Sequence, residues 1–258
     1  MDRLGNGGSA HPNSIVDVQY PAQLDQIHKV IQMARTGEIP TVPAFEKIIY
    51  IGHSYGSIIG NALNRVYPHD VDATILTGFS SFFLTILPAV LAQSLLLPAR
   101  IDQPSRYGEL DLGYLEFSNQ GEFNYIFYYP NGSDPNFANH DFSIRGTMTV
   151  GELASLLATG NTATGYTKPV LVASGEYDYL LCNELGFNLE PTVSPSCYDV
   201  PLVNFLNGQN YLECVADYYP DTNLDWYAVP DAGHCWQFHY SAYKAFGLMH
   251  EWMANKGF

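Results

Sequence analysis

The chain has 258 residues, 47% of them apolar and 14% charged, enough for one large globular domain with a sizeable core and incompatible with a disordered chain. Its 26 acidic residues outnumber 11 basic ones and give a net charge of −15. Such a surface repels nucleic acid and anionic membranes, and both are excluded as partners.

In chain order, residues 2–12 are a loop by composition, rich in glycine and closed by His11-Pro12. A helix is expected from Pro21, a residue suited to a first turn. Leu24, Ile27, Val30, Ile31 and Ala34 form its apolar face, and Gly37 stops it. Residues 39–46 lead to a β-branched run, Ile48–Ile51. Gly52-His53-Ser54-Tyr55-Gly56 follows, and then a helical pattern that stops near Tyr67-Pro68. Ala73–Leu76 reads as a second short buried strand.

Ser81–Pro98 is a long apolar run. Thr85, Pro88, Gln93 and Ser94 break it as a membrane span, so helices lying over a pocket are expected. Tyr114–Tyr129 concentrates aromatic residues, individually core material and collectively fit for an apolar-lined lid. Thr149–Leu157 is expected to be another helix of that lid. Pro169–Ala173 restores the strand pattern and ends in Ser174-Gly175-Glu176-Tyr177-Asp178. Leu202–Phe205 and Tyr211–Ala216 are weakly patterned. Trp226–Val229 is the last strand, Pro230-Asp231-Ala232-Gly233-His234-Cys235 follows it, and a helix runs from about Ser241 to Ala254. The pattern divides the chain into 1–80, a core part with the first strands; 81–165, a cap or lid; and 166–258, the remainder of the core.

The cysteines are Cys182, Cys197, Cys214 and Cys235. No C-x-x-C spacing is present, so no metal is expected. An even number in a Pro/Asn/Ser-rich region points to disulfides and an oxidising compartment. Cys182 and Cys197, flanking a loop that holds Pro191 and Pro195, are the expected local pair, and Cys214 would then pair with Cys235; four cysteines allow three connectivities. Asn131-Gly132-Ser133 is a glycosylation sequon that agrees with secretion, although no signal peptide is visible at Met1.

The chemistry centres on Ser54. A strand, a G-x-S-x-G turn and a helix make a nucleophile elbow, which holds the serine in a strained conformation; Gly52 and Gly56 are expected to leave room for it. The Tyr55 N–H, at the start of the helix, faces the place of a developing oxyanion. A serine needs a base, and the base an orienting acid. Asp178 and His234 each follow a predicted strand and fall in the order Ser, Asp, His. Glu176 and Asp231 are weaker candidates for the acid. His53, His140, His239 and His250 lack the strand-then-loop setting and read as structural.

These residues, with Asp2-Arg3-Leu4-Gly5-Asn6-Gly7, Gly175-Glu176-Tyr177-Asp178 and Gly233-His234, resemble the α/β-hydrolase superfamily, in particular secreted fungal serine hydrolases, over residues 2–258. The resemblance implies an α/β-hydrolase fold, a mostly parallel sheet with an inserted helical cap. It implies hydrolysis of an ester, lactone or related acyl bond through an acyl-enzyme, with no cofactor. Phe82, Phe83, Phe117 and Tyr128 are the candidate walls for a small apolar ester-like substrate. No protein partner is inferable. A catalytically silent binding protein and a lyase of the same fold are the alternatives.

Relatives in that superfamily carry about half the sheet, and a second oxyanion donor, before the segment resembled by residues 2–7. The expectation is therefore a shortened or reduced chain. Its elbow strand would form an exposed apolar edge, its solubility would be marginal, and its turnover would be low for want of one oxyanion donor.

Overall fold

The computed structural model describes residues 2–84, 88, 91–92, 94–157, 160–183 and 195–258. Most of the run predicted as helices over the pocket at 85–93, and the tip of the cysteine loop at 184–194, lie outside the described residues.

The centre is a four-stranded sheet, all parallel, of β1 (Ile49–His53), β2 (Ala73–Thr77), β6 (Val170–Gly175) and β7 (Leu224–Val229), paired in that order. β2 and β6 are buried along their whole length, as continuous apolar strands of a two-sided parallel sheet should be. Residue parity decides which face each side chain meets. Ile75 and Leu171, paired across β2 and β6, join Val229, Trp236 and the C-terminal helix α6 (Ala242–Asn255). Leu76 and Val172, one position on, join the opposite face, where α1 (Tyr20–Thr36) and α2 (Tyr55–Val66) pack. α1 has Pro21 in its first turn and ends at Gly37, with φ 72°, as the sequence predicts.

Among the described residues β1 is an edge strand, paired with β2 alone. Ile49 packs on the α6 side, whereas Ile51, two residues on and on the same face, is 53% exposed. Of the apolar residues of β1, Ile51 is the exposed one, while Ile49 and Tyr50 are partly buried against the core.

Residues 78–169, between β2 and β6, hold a small antiparallel sheet of β3 (Leu96–Pro98), β4 (Tyr114–Phe117) and β5 (Met148–Thr149). Its helices include α3 (Gln120–Phe127), α4 (Pro135–Ile144) and α5 (Val150–Leu156). Leu96–Pro98, read from sequence as part of a helical run, is a strand instead: β4 offers it a ladder that local periodicity does not reveal. α5 starts in a capping box, with the Thr149 hydroxyl accepting the Glu152 N–H and Glu152 accepting the Thr149 N–H. Among the described residues no helix is long and apolar enough to cross a membrane.

Cys182 and Cys197 form a disulfide, the local pair expected from sequence. The second predicted pair does not form: Cys214 and Cys235 are free thiols. Tertiary position separates them. Cys214 lies in a short 3-10 helix, where it accepts from the Asn204 amide, while Cys235 follows His234 and donates its N–H to the Phe127 carbonyl.

Candidate active site

All the predicted catalytic residues sit beyond the carboxyl ends of the parallel strands, where an open α/β sheet collects its site. Ser54 follows β1 with φ 54° and ψ −118°, a left-handed conformation that costs a non-glycine residue about 1–3 kcal/mol. Backbone bonds hold it there. Its N–H donates to the Thr77 carbonyl at 2.9 Å, and its carbonyl accepts the N–H groups of Ser57 and Ile58. The turn is closed so tightly that a Cβ on residue 52 would lie 2.5 Å from the Gly56 carbonyl oxygen. Gly52 is thus required for space. Gly56 is not, because the nearest atom to a Cβ there would be the Tyr50 hydroxyl at 4.0 Å, which corrects the sequence expectation for that glycine. The Tyr55 N–H opens α2, one of the N–H groups a helix leaves without an intrahelical acceptor. The Tyr55 ring is a structural wedge: Arg3 lies 5.2 Å above it, and its hydroxyl donates to Gln23.

Asp178 and His234 are both buried, and His234 Nδ1 lies 2.8 Å from Asp178 Oδ2. The other Asp178 oxygen accepts the Leu181 N–H. The strand end and the histidine loop meet so closely that a Cβ on Gly175 would lie 2.1 Å from the Gly233 oxygen. Glu176 instead lies by Asp231 at the exposed side of the turn, and Asp231 adopts φ 55° as a turn former.

His234 Nε2 is buried and has no hydrogen-bond partner among the described residues, and no hydrogen bond joins it to Ser54. It stands just behind the wall of a cavity that Ser54 lines. A Cβ on Gly78, a residue of that wall, would be 3.0 Å from the His234 ring, and the Phe127 ring, also in the wall, is 5.6 Å from it.

Two histidines read as structural from sequence are part of this frame. The His53 ring lies 4.9 Å from that of His234, and its Nδ1 is within hydrogen-bond reach of Thr77 Oγ1 and of the Gln237 amide. Burial, reinforced by His234, holds the His53 pKa well below the ordinary value of 6.5. His239 Nε2 accepts two backbone N–H groups, those of Tyr129 and Gly233, and its Nδ1–H donates to the Cys235 carbonyl. This bonding requires a neutral ring, and burial lowers its pKa to match. His239 therefore fixes the loop that carries His234. The only sequence signal for His53 is its place beside Ser54; nothing local marks His239 or Gln237.

The cavity has a volume of about 320 Å³. Phe83 and Phe117 line it, with Phe79, Phe123 and Phe127. The other two predicted wall residues lie elsewhere: Phe82 packs edge-on against Tyr211, and Tyr128 stacks on His239 while its hydroxyl donates to Asp141. The charged groups of the wall are held by the fold. Arg3 pairs with Glu152 at 3.1 Å, and Arg145 with Asp102 at 2.9 Å. Among the described residues no His, Cys, Asp and Glu cluster is arranged to hold a metal ion.

Neither a protein-family model nor a curated protein matches this sequence. Solved structures do. A thermophilic esterase from Thermogutta terrifontis is 14% identical and superposes with a TM-score of 0.59 over 100% of this chain and 79% of its own. A methylesterase from Arabidopsis is 11% identical, with a TM-score of 0.54 over 98% of this chain and 85% of its own. An alpha/beta hydrolase fold protein from Chitinophaga pinensis is 17% identical, with a TM-score of 0.51 over 98% and 77%. At these identities the likeness speaks for architecture, and together with the parallel sheet and its elbow it shows that this chain has the α/β-hydrolase fold.

Proposed function

We propose that the chain is a serine hydrolase acting on ester-type bonds through an acyl-enzyme. The observation that carries this reading is the buried Asp178–His234 pair, which, like the strained Ser54, follows a strand at the same end of the sheet. The names of the structural neighbours, an esterase and a methylesterase among them, support it.

Asp178 accepts the Nδ1–H of His234, which fixes the tautomer and leaves the Nε2 lone pair free. Ser54 Oγ attacks the acyl carbonyl while Nε2 takes its proton. The Tyr55 N–H donates to the oxyanion. Collapse of the tetrahedral adduct breaks the bond to the alcohol, which leaves with the proton from His234. Water then repeats the sequence on the acyl-serine, with His234 as base and then acid, and releases the carboxylic acid.

Residues 81–165 are the lid of this site, since Phe83, Phe117, Phe123 and Phe127 come from them and line the same cavity as Ser54. A small apolar ester suits that lining. The Cys182–Cys197 disulfide and the exposed Asn131 of the sequon support an oxidising, secretory setting.

The second reading is a silent binding protein of this fold, favoured by the absence of a Ser54–His234 hydrogen bond. Such bonds are often long in unliganded sites and tighten with substrate. A fluorophosphonate probe decides between the two. Labelling of the chain that disappears in Ser54→Ala supports the hydrolase; no labelling refutes it. Product analysis on an ester and on a cyanohydrin distinguishes hydrolysis from a lyase reaction.

A further inference from the structure

The cavity wall contains a side-chain amide, that of Asn6, whose NH2 group has no acceptor among the described residues. Asn6, in the loop before α1, accepts the Thr147 N–H through Oδ1 at 3.3 Å. A backbone N–H can only donate, so this contact orients the amide and makes the remaining atom the NH2 group. That Nδ2 is shielded from solvent and has no hydrogen-bond partner among the described residues. A buried donor without an acceptor is costly, and such a group calls for an explanation. Asn6 lines the same cavity as Ser54.

The polar neighbours of Asn6 are engaged with one another. Arg3 donates to Glu152 and to the Thr147 carbonyl. Glu152 also accepts from Gln23 and from the Thr149 N–H. The Thr147 hydroxyl donates to the Gly5 carbonyl. Both arginines of the wall are already ion-paired, so neither stands in the cavity as an uncompensated cation. What the cavity lacks is a neutral acceptor for one N–H.

Resting on the serine hydrolase reading, we propose that the substrate is an apolar ester bearing a second, neutral oxygen acceptor, a ketone, ether or hydroxyl oxygen, and that Asn6 Nδ2 donates to it. Asn6 is then a specificity-determining residue that separates such esters from their hydrocarbon counterparts.

The test compares matched substrates: 4-nitrophenyl 4-oxopentanoate with the pentanoate, 4-nitrophenyl 5-oxohexanoate with the hexanoate, and 2-methoxyethyl hexanoate with butyl hexanoate. In at least one pair, kcat/KM for the acceptor-bearing ester is expected to exceed that of its partner by about 2- to 12-fold, the yield of one neutral hydrogen bond. Asn6→Asp keeps the acceptor for the Thr147 N–H and removes the donor, so the loop stays anchored; Asn6→Leu removes both. Each is expected to bring the ratio to one. Ratios of one in the unaltered chain, ratios that persist in Asn6→Asp, or losses shared equally by both members of a pair would overturn the proposal. The same ratios, read as Kd by calorimetry in Ser54→Ala, test Asn6 separately from hydrolysis. If no ester is turned over but the binding ratio holds and collapses in Asn6→Asp, the hydrolase reading fails and the acceptor site stands.

Discussion

His234 Nδ1 is 2.8 Å from Asp178 Oδ2, and both side chains are excluded from solvent. In that setting the carboxylate acts mainly through the tautomer it selects. Asp178→Asn preserves the shape of the pair but offers the imidazole an amide, which favours the tautomer that blocks Nε2. Turnover of a 4-nitrophenyl ester is expected to fall by about 10⁴, with little change in folding. Glu176→Gln, on the exposed side of the same turn, should leave turnover unaltered. Equal losses in both variants would mean the acid has been misassigned.

The two elbow glycines should respond differently. A methyl at position 52 would press on the Gly56 carbonyl at 2.5 Å, and backbone there has nowhere to move. Gly52→Ala is expected to destabilise the chain by about 1–3 kcal/mol and to displace Ser54. Gly56→Ala meets only the Tyr50 hydroxyl at 4.0 Å and lies in the first turn of α2, so a neutral effect or a gain of up to about 1 kcal/mol is expected. Urea denaturation measures both, and similar stabilities would contradict the packing argument.

Stability should decline as the medium is acidified below pH 6.5. His53 and His239 are neutral in the folded chain, their pKa values lowered chiefly by burial from 6.5. Between their folded and unfolded pKa values the unfolded chain binds more protons, so stability is fully present above 6.5 and is lost as pH falls. Glu116 runs the other way. Burial raises its pKa to about 6, so its contribution is lost as pH rises through that value. Two histidines oppose one carboxyl group, and Tm is expected to drop between pH 7 and pH 5.5. His239→Gln retains an acceptor for the backbone and cannot titrate, and should flatten the acid limb. A profile that is equally steep in the variant would remove His239 as a cause.

The disulfide makes a separate prediction. It closes a loop with a sequence separation of 15, for which the chain-entropy relation gives about 3 kcal/mol. The double variant Cys182→Ser, Cys197→Ser should melt about 6–12 °C lower. Thiol titration of the denatured, unreduced chain should find Cys214 and Cys235 alone. Four reactive thiols would show that the bridge is not formed.

The sequence by itself determined the elbow, the order Ser54, Asp178, His234, and the alternation of strand and helix that makes a parallel sheet. These features are local. A strand-turn-helix around glycine is written in adjacent residues, and a side chain just past a parallel strand lands on the carboxyl edge whichever helices cover the faces. The choice of Asp178 over Glu176 as the candidate acid rested on the same local signal, and the structure sets Asp178 rather than Glu176 against His234.

Tertiary structure decided the rest. Phe83 faces the cavity and its neighbour Phe82 faces Tyr211, a choice made by packing against segments far away in the chain. Cys214 and Cys235 share a region of sequence but are held by different partners in space. His239 matters because the N–H groups of Tyr129 and Gly233 converge on one ring nitrogen, although those residues are more than a hundred positions apart in the chain. Asn6 is a candidate specificity residue only because Thr147 takes its oxygen and leaves its nitrogen without an acceptor. Periodicity reports which way a residue faces within its own element; what it meets there depends on contacts distant in sequence, and those are fixed only when the chain has folded.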